Sequence, residues 1–264
     1  EYAMSALQSA PAIAPMVDPD LLDKLAQVAV HVGLGLEAGQ DLVMTAPLTA
    51  LPLVRKITEH AYKAGAGLVT AIYSDEETTL ARYRYAPDAA FDKAPDWLYE
   101  GMAKAFEGNA ARLAIAGDNP MMLSREDPEK VSRATRANSR AYKPAIKKIT
   151  GFDINWNIVS YPNAAWAKLV FPGLPEDEAV ARLAAAIFSA SRVDRPDPVA
   201  EWARHNADIH ARRDWLNAMN FRDLHFTGPG TDLVVGLADG HEWKGGASLA
   251  KNGITCNPNI PTEE

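Results

Sequence analysis

Cysteine is almost absent from this sequence. Cys256 is the only cysteine among the 264 residues. A disulfide within the chain is therefore excluded, and so is a zinc site built from several cysteines. A chain with one thiol fits a reducing compartment such as the cytosol, although one thiol does not by itself establish a cytoplasmic location.

An excess of positive charge is also missing. The chain carries 34 acidic and 27 basic residues, which gives a formal charge of -7. A nucleic-acid footprint needs clustered positive charge, so we expect no nucleic-acid partner. The longest apolar run starts at Ala179, is interrupted by Arg182 and is too short to cross a bilayer, so we expect no membrane partner. The first sixteen residues contain no Lys or Arg and lack the basic start of a secretory signal.

The remaining composition is that of an ordinary globular protein. Hydrophobic residues make up 47% of the chain and charged residues 23%, which is enough for a sizeable core. We interpret residues 1–17 as a tail, or as a scar of an added or trimmed end, and exclude them from the fold.

Helical and strand patterns alternate up to about residue 120. Asp18 followed by Pro19 predicts a helix start, with aspartate as the cap and proline in the first turn. Short β-branched runs begin at Asp41, Gly67 and Ala111, with helical spacing between them. This alternation predicts a three-layer α/β fold, in which a mostly parallel sheet is flanked by helices.

The second half of the sequence is more helical and then changes character. We predict helices over residues 128–141, 175–189 and 197–219, and a strand from Asn155 to Tyr161. After Phe221, Gly and Pro at turn spacing separate alternating strand residues, which predicts a β-meander rather than another βα unit. We therefore place an α/β domain at residues 18–220 and a β-rich second portion at residues 221–264.

Three glycines resemble a dinucleotide-binding loop. Gly33, Gly35 and Gly39 follow a predicted helix and precede a predicted strand. A phosphate site needs the opposite order, so that the next helix presents its N-terminus to the anion. A helix C-cap and a turn explain these glycines better. A nucleotide-dependent enzyme on a doubly wound sheet is thus disfavoured, and no Walker A loop supports it.

The histidines and the cysteine form no recognisable catalytic motif. His205 and His210 are five residues apart, so on one helix they point about 140° away from each other and cannot chelate one ion as an i, i+4 pair does. His241-Glu242 begins like a zinc-protease helix, but no second histidine follows. Cys256 near His241 is weak evidence for a nucleophile, and we interpret Cys256 as a small, semi-buried side chain. We assign no catalytic residue.

A basic segment runs from Arg133 to Lys148 without an acidic residue. Such a segment can bind a carboxylate or a phosphate. Short charge runs are usually at the surface, so we interpret it as a solvated helix face or the rim of an interface.

The sequence ends on "NPNIPTEE", where rigid backbone precedes two carboxylates. Pro258 and Pro261 fix φ and bias the residues before them towards extended backbone. Extended backbone places successive side chains on opposite faces, so only one of Glu263 and Glu264 can point into a given site. That carboxylate can bind a hard divalent cation. On these grounds alone, however, a solvated tail is the favoured interpretation.

Several long stretches of this sequence favour a metal ligand over a solvated tail. "FTGPGTDLVVGLADGHEWKGG", "CNPNIPTEE", "WLYEGMAKAF" and "NWNIVSYPNAAWAKLVFPGLPEDEAV" together resemble the M29 metalloaminopeptidase family, from about residue 20 to the end. The resemblance implies a cytosolic exopeptidase that releases N-terminal amino acids from peptides. It also implies a homodimer and two divalent metal ions in each site. Zn, Co, Mn and Mg all stay open, because carboxylate and imidazole ligands accept each of them.

The resemblance also implies roles for the final residues. In the family motif "PNxPTEE" the second glutamate is a metal ligand, which here is Glu264, and Glu263 is the neighbouring acid. The family's other ligands, a Glu, two His and an Asp, lie downstream of the motif. We therefore expect this chain to be the N-terminal portion of the enzyme, with the catalytic portion cut short, and to be inactive alone. A non-catalytic binding or dimerisation module is the alternative.

One further segment is a candidate for the surroundings of the site. The "GPGTDL" turn, Gly228 to Leu233, is predicted to form a wall near the metal ions. For Asp232 within it, a turn residue that caps its own backbone is an equally good interpretation.

Overall fold

A computed structural model describes residues 17–262 of the chain. Its helices are α1 (Pro19–Val28), α2 (Leu51–Lys63), α3 (Glu76–Tyr85), α4 (Asp96–Glu107), α5 (Pro128–Thr150), α6 (Ala164–Val170), α7 (Glu176–Ala190) and α8 (Pro198–Met219). Its strands are β1 (Leu42–Pro47), β2 (Val69–Ser74), β3 (Ala111–Ala116), β4 (Trp156–Ser160), β5 (Asp223–Gly228), β6 (Thr231–Gly236), β7 (Ser248–Leu249), β8 (Thr255–Cys256) and β9 (Asn259–Ile260). A π-helical segment, Ala29–Leu34, continues α1.

The main sheet has five parallel strands in the order β2-β1-β3-β4-β9. Alternate residues of β1 face opposite layers, because Leu42 and Met44 belong to the core beneath α1 and α2, whereas Val43 belongs to the core beneath α4 and α5. The sheet is thus covered by helices on both faces. This arrangement confirms the predicted three-layer α/β fold.

The start of α1 forms as predicted. The Asp18 carboxylate accepts hydrogen bonds from the backbone N–H groups of Asp20, at 2.9 Å, and Leu21, at 3.2 Å. At the other end, the π-helical segment stops at Gly35, whose φ is +57°. That left-handed conformation favours glycine, so the interpretation of Gly35 as a helix C-cap is confirmed.

Helix α5 is longer than predicted. The predicted end was residue 141, and Pro144 lies inside the observed helix. Beyond the proline, Ala145 and Ile149 are buried in the core shared with α4. Packing on that face offsets the hydrogen bond that proline removes, which is why the local signal placed the end too early.

The C-terminal strands follow two patterns. β5 with β6, and β7 with β8, form antiparallel pairs, as predicted after residue 221. β9 instead pairs in parallel with β4, through Ile158 opposite Asn259. The prediction of a meander is therefore wrong for β9, which extends the main sheet, and a domain junction near residue 220 stays a prediction. Among residues 17–262, no helix is long and apolar enough to span a membrane.

Candidate metal centre

The two predicted metal ligands, Glu263 and Glu264, lie outside the described residues. The structure does describe the segment that leads directly to them, Asn257 to Thr262. We refer to Asn257–Thr262 as the anchored segment, because its start, middle and end are each held by hydrogen bonds to other parts of the fold.

The start of the anchored segment is buried and fully bonded. Asn257 is 1% exposed. Its backbone N–H donates to the Gly33 carbonyl at 2.9 Å, and its own carbonyl accepts from Asn157 Nδ2 at 2.6 Å. Its side chain exchanges two hydrogen bonds with the side chain of Asn206, at 2.9 and 3.0 Å. Both the backbone and the side chain of Asn257 are therefore held by hydrogen bonds to the α/β core.

The middle of the segment is a strand of the main sheet. The Pro258 carbonyl accepts from the Ile158 N–H at 2.8 Å, and Ile260 lies opposite Val159. Ile260 is 1% exposed and belongs to the core beneath α1 and α2. Ladder pairing and side-chain burial together fix this stretch against the rigid sheet.

The end of the segment is held by α8. His205 Nε2 lies 2.7 Å from the Thr262 carbonyl oxygen. A carbonyl oxygen only accepts, so Nε2 carries the hydrogen. The His205 ring packs edge-on against Trp202 at 5.4 Å between ring centroids. Trp202 is fully buried and donates from Nε1 to the Ser191 carbonyl at 2.8 Å.

Two other histidines that the sequence analysis considered, His210 and His241, bind backbone carbonyls. His210 Nε2 lies 2.8 Å from the Ala247 carbonyl oxygen, and His241 Nδ1 lies 2.9 Å from that of Ala238.

Cys256 is 0% exposed, so its interpretation as semi-buried is wrong, and burial raises the pKa of its thiol. A buried thiol of raised pKa is a poor nucleophile.

The predicted wall lies in the β5–β6 hairpin. Asp232 is in β6 opposite Thr227, and its Oδ1 lies 2.6 Å from His225 Nε2. Its side chain therefore binds His225 across the hairpin rather than capping its own backbone. The role of Gly228–Leu233 as a wall of the metal site stays a prediction.

The basic segment on α5 is not uniformly solvated. Arg133 binds Asp88 at 2.9 Å and Asp92 at 2.5 Å, and its side chain is only 17% exposed. These hydrogen bonds hold the pKa of the Asp92 carboxyl below its ordinary value. Arg133 thus holds the loop between α3 and α4 against α5. Because its guanidinium already pairs with two carboxylates, it is not available to bind an external anion.

A cavity of about 240 Å³ lies at the carboxyl edge of β1 to β4, where parallel sheets of this class bind ligands. Burial, together with the charge of Glu76, raises the pKa of Asp118 in this cavity. Asp75 also lines it, and no Lys or Arg does. Three carboxylates without a basic partner repel a phosphate. The charge of the cavity therefore argues further against a nucleotide-dependent enzyme. The residues that line the cavity were not identified from the sequence.

The described residues do not complete a metal site on their own. Across residues 17–262, no group of three or more His, Cys, Asp and Glu side chains is placed to hold an ion. Carboxylates are the hard oxygen donors that divalent cations bind, so the chemistry of Glu263 and Glu264 fits such ions. A closed site needs more ligands than these two.

Comparison with known proteins decides the family. A family model described as thermophilic metalloprotease (M29) matches residues 19–264. The chain belongs to the M29 family. The match includes the whole anchored segment and both glutamates, and it confirms the resemblance found in the sequence.

Named relatives agree with this assignment. Within the M29 family, aminopeptidase T of Thermus thermophilus is 56% identical over 243 residues, which cover 92% of this chain and 60% of that protein. Aminopeptidase 2 of Geobacillus stearothermophilus is 40% identical, with 92% and 59% covered. The solved structure of wild-type AmpT from Thermus thermophilus has a TM-score of 0.86 at 54% identity, with 92% of this chain and 60% of that chain covered. The chain thus spans about 60% of the length of these relatives.

Proposed function

We propose that the protein is a metal-dependent aminopeptidase that releases the N-terminal residue of peptides by hydrolysis. The observation that carries this proposal is the M29 match, which runs through the anchored segment to residue 264, together with relatives that are named as aminopeptidases. The substrate is a peptide with a free N-terminus.

In this proposal, Glu264 is a metal ligand and Glu263 is its acidic neighbour. The site holds two divalent ions, drawn from Zn, Co, Mn and Mg. Such a pair of ions, when bound, lowers the pKa of a water and polarises the scissile carbonyl. The contribution of the described residues is to hold the backbone that leads to these ligands.

We infer that residues 1–264 do not hydrolyse peptides when expressed alone. Residues 17–262 contain no group of three candidate ligands, and two carboxylates are too few to hold two ions. Two further proposals follow from the family resemblance. The enzyme is a homodimer, which sedimentation tests, and it acts in the cytoplasm, which cell fractionation tests.

The test uses the protein translated from the complete native reading frame. Release of the anilide from an aminoacyl anilide is followed with added Co²⁺ or Zn²⁺, and then after addition of a chelator. The matched control substrate carries an acetylated α-amine. We expect turnover of the free-amine substrate only, and its loss with chelator.

The outcomes separate the candidate functions. Turnover that resists the chelator contradicts a metal-dependent mechanism. Equal turnover of the acetylated substrate contradicts an exopeptidase. Absence of turnover with every metal favours the alternative, a non-catalytic binding or dimerisation module.

A further inference from the structure

We propose that His205 is a positioning residue for the candidate metal ligands that follow Thr262. This inference rests on the proposed function, because it matters only if Glu264 binds a metal ion. It adds a specific task for a histidine that is distant in sequence from the "PNxPTEE" motif.

The contact acts on the last peptide unit before the glutamates. His205 Nε2 donates to the Thr262 carbonyl at 2.7 Å. That carbonyl belongs to the same planar unit as the backbone nitrogen of residue 263, because the peptide bond keeps these atoms in one plane. A hydrogen bond that orients the carbonyl therefore orients the plane from which the chain continues to Glu263.

His205 is itself held in place by the core. Its ring lies against the fully buried Trp202, at an interplanar angle of 81°. The indole of Trp202 is tied to the Ser191 carbonyl at 2.8 Å, and the Arg192 guanidinium lies 5.3 Å from its ring centroid. The donor thus comes from a packed side chain on a long helix, which suits a residue that must define geometry.

The neighbouring residue of the same helix holds the other end of the anchored segment. Asn206 exchanges two hydrogen bonds with Asn257, at 2.9 and 3.0 Å. Consecutive residues of α8 therefore fix both Asn257 and Thr262, while β4 pairs with the strand between them. Asn257 is 1% exposed, so removing its contact would also disturb the core, whereas His205 is only partly buried and its bond to the Thr262 carbonyl lies at the end next to the glutamates. His205 is for this reason the more selective site to test.

The experiment measures Co²⁺ binding to the protein from the complete native reading frame, by visible absorption of the bound ion. The variants are His205→Leu, which has no donor, and His205→Gln, whose side-chain amide places an N–H group near the position of Nε2. The matched control is His210→Leu. It removes a 2.8 Å contact from the same helix to the Ala247 carbonyl, outside the anchored segment.

We expect His205→Leu to weaken Co²⁺ binding about 10-fold to 100-fold, the usual effect of losing a group that orients metal ligands. His205→Gln restores binding, and His210→Leu binds as the wild type does. Amide hydrogen exchange provides a readout without metal, in which His205→Leu raises exchange in the peptide that contains Thr262.

The following outcomes would contradict the proposal that His205 positions the metal ligands. Wild-type affinity and absorption in His205→Leu show that the contact positions nothing. Equal losses in His205→Leu and His210→Leu report general destabilisation of α8. If the wild type binds no cation, the proposed function fails as well, and exchange at Thr262 then shows separately whether His205 holds the backbone.

Discussion

Replacing Gly33 by alanine tests how firmly the anchored segment is held. A Cβ atom at residue 33 would lie 2.6 Å from Asn157 Cγ and 2.8 Å from its Nδ2. Asn157 is fully buried and donates to the Asn257 carbonyl at 2.6 Å, so its side chain cannot move aside without breaking that bond. The methyl group therefore strains a buried contact that reaches the anchored segment.

Three contributions set the size of the effect on the free energy of unfolding. Overpacking costs about 1–3 kcal/mol. Loss of the Asn157 hydrogen bond leaves a buried carbonyl unpaired, which costs about 1–3 kcal/mol more. The gain from replacing glycine in a helix, about 0.5–1 kcal/mol, offsets part of this. We expect Gly33→Ala to lower the free energy of unfolding by about 1–5 kcal/mol in total.

The assay is chemical unfolding, with two controls. Gly101→Ala in α4 is the same substitution with nothing within 4 Å of the added atom, and it should be neutral or slightly stabilising. In the double variant Gly33→Ala/Asn157→Ala the clash is absent, so its loss should be close to that of Asn157→Ala alone. Additive losses in the double variant, or a Gly33→Ala variant as stable as Gly101→Ala, would refute the reasoning.

Two further predictions concern charge and the single thiol. Arg133→Met should lower the melting temperature at pH 7, because Asp88 and Asp92 lose their common partner. The pKa of Asp92 is lowered in the folded state, so this stabilisation is present above the unfolded pKa, near 3.8, and is lost as the pH falls further; a melting difference that stays constant down to pH 2 would contradict the assignment. Cys256 is fully buried with a raised thiol pKa, so a thiol reagent should label it slowly in the native protein and at once in urea. Equal rates in the two states would show that the thiol is accessible.

Local signals predicted most of the fold. Asp18 and Pro19 give a capped helix start within a few residues, and Leu42, Val43 and Met44 form a short buried apolar run at the start of β1. Such information is contained in short windows of sequence. Helix α5 shows the limit, since its continuation past Pro144 depends on the packing of Ile149 against α4 rather than on local preference.

Local sequence patterns did not predict the long-range contacts. β9 has only two paired residues, and its partner β4 lies about a hundred positions earlier, so no periodicity marks the pairing. His205 was judged only by its spacing to His210, whereas its contact is with Thr262. The cavity that contains Asp118 forms from the ends of four strands, and becomes visible only when their order is known.

The central claim is that the anchored segment presents Glu264 to a metal site. The most direct measurement is the number and affinity of bound Co²⁺ ions in the protein from the complete native reading frame, compared between wild type and Glu264→Ala. The control is Glu242→Ala, since the Glu242 carboxylate is exposed and pairs with Lys244 at 2.6 Å. We expect two bound ions in the wild type and in Glu242→Ala, and loss or strong weakening of at least one in Glu264→Ala. Unchanged Co²⁺ binding in Glu264→Ala would contradict the claim.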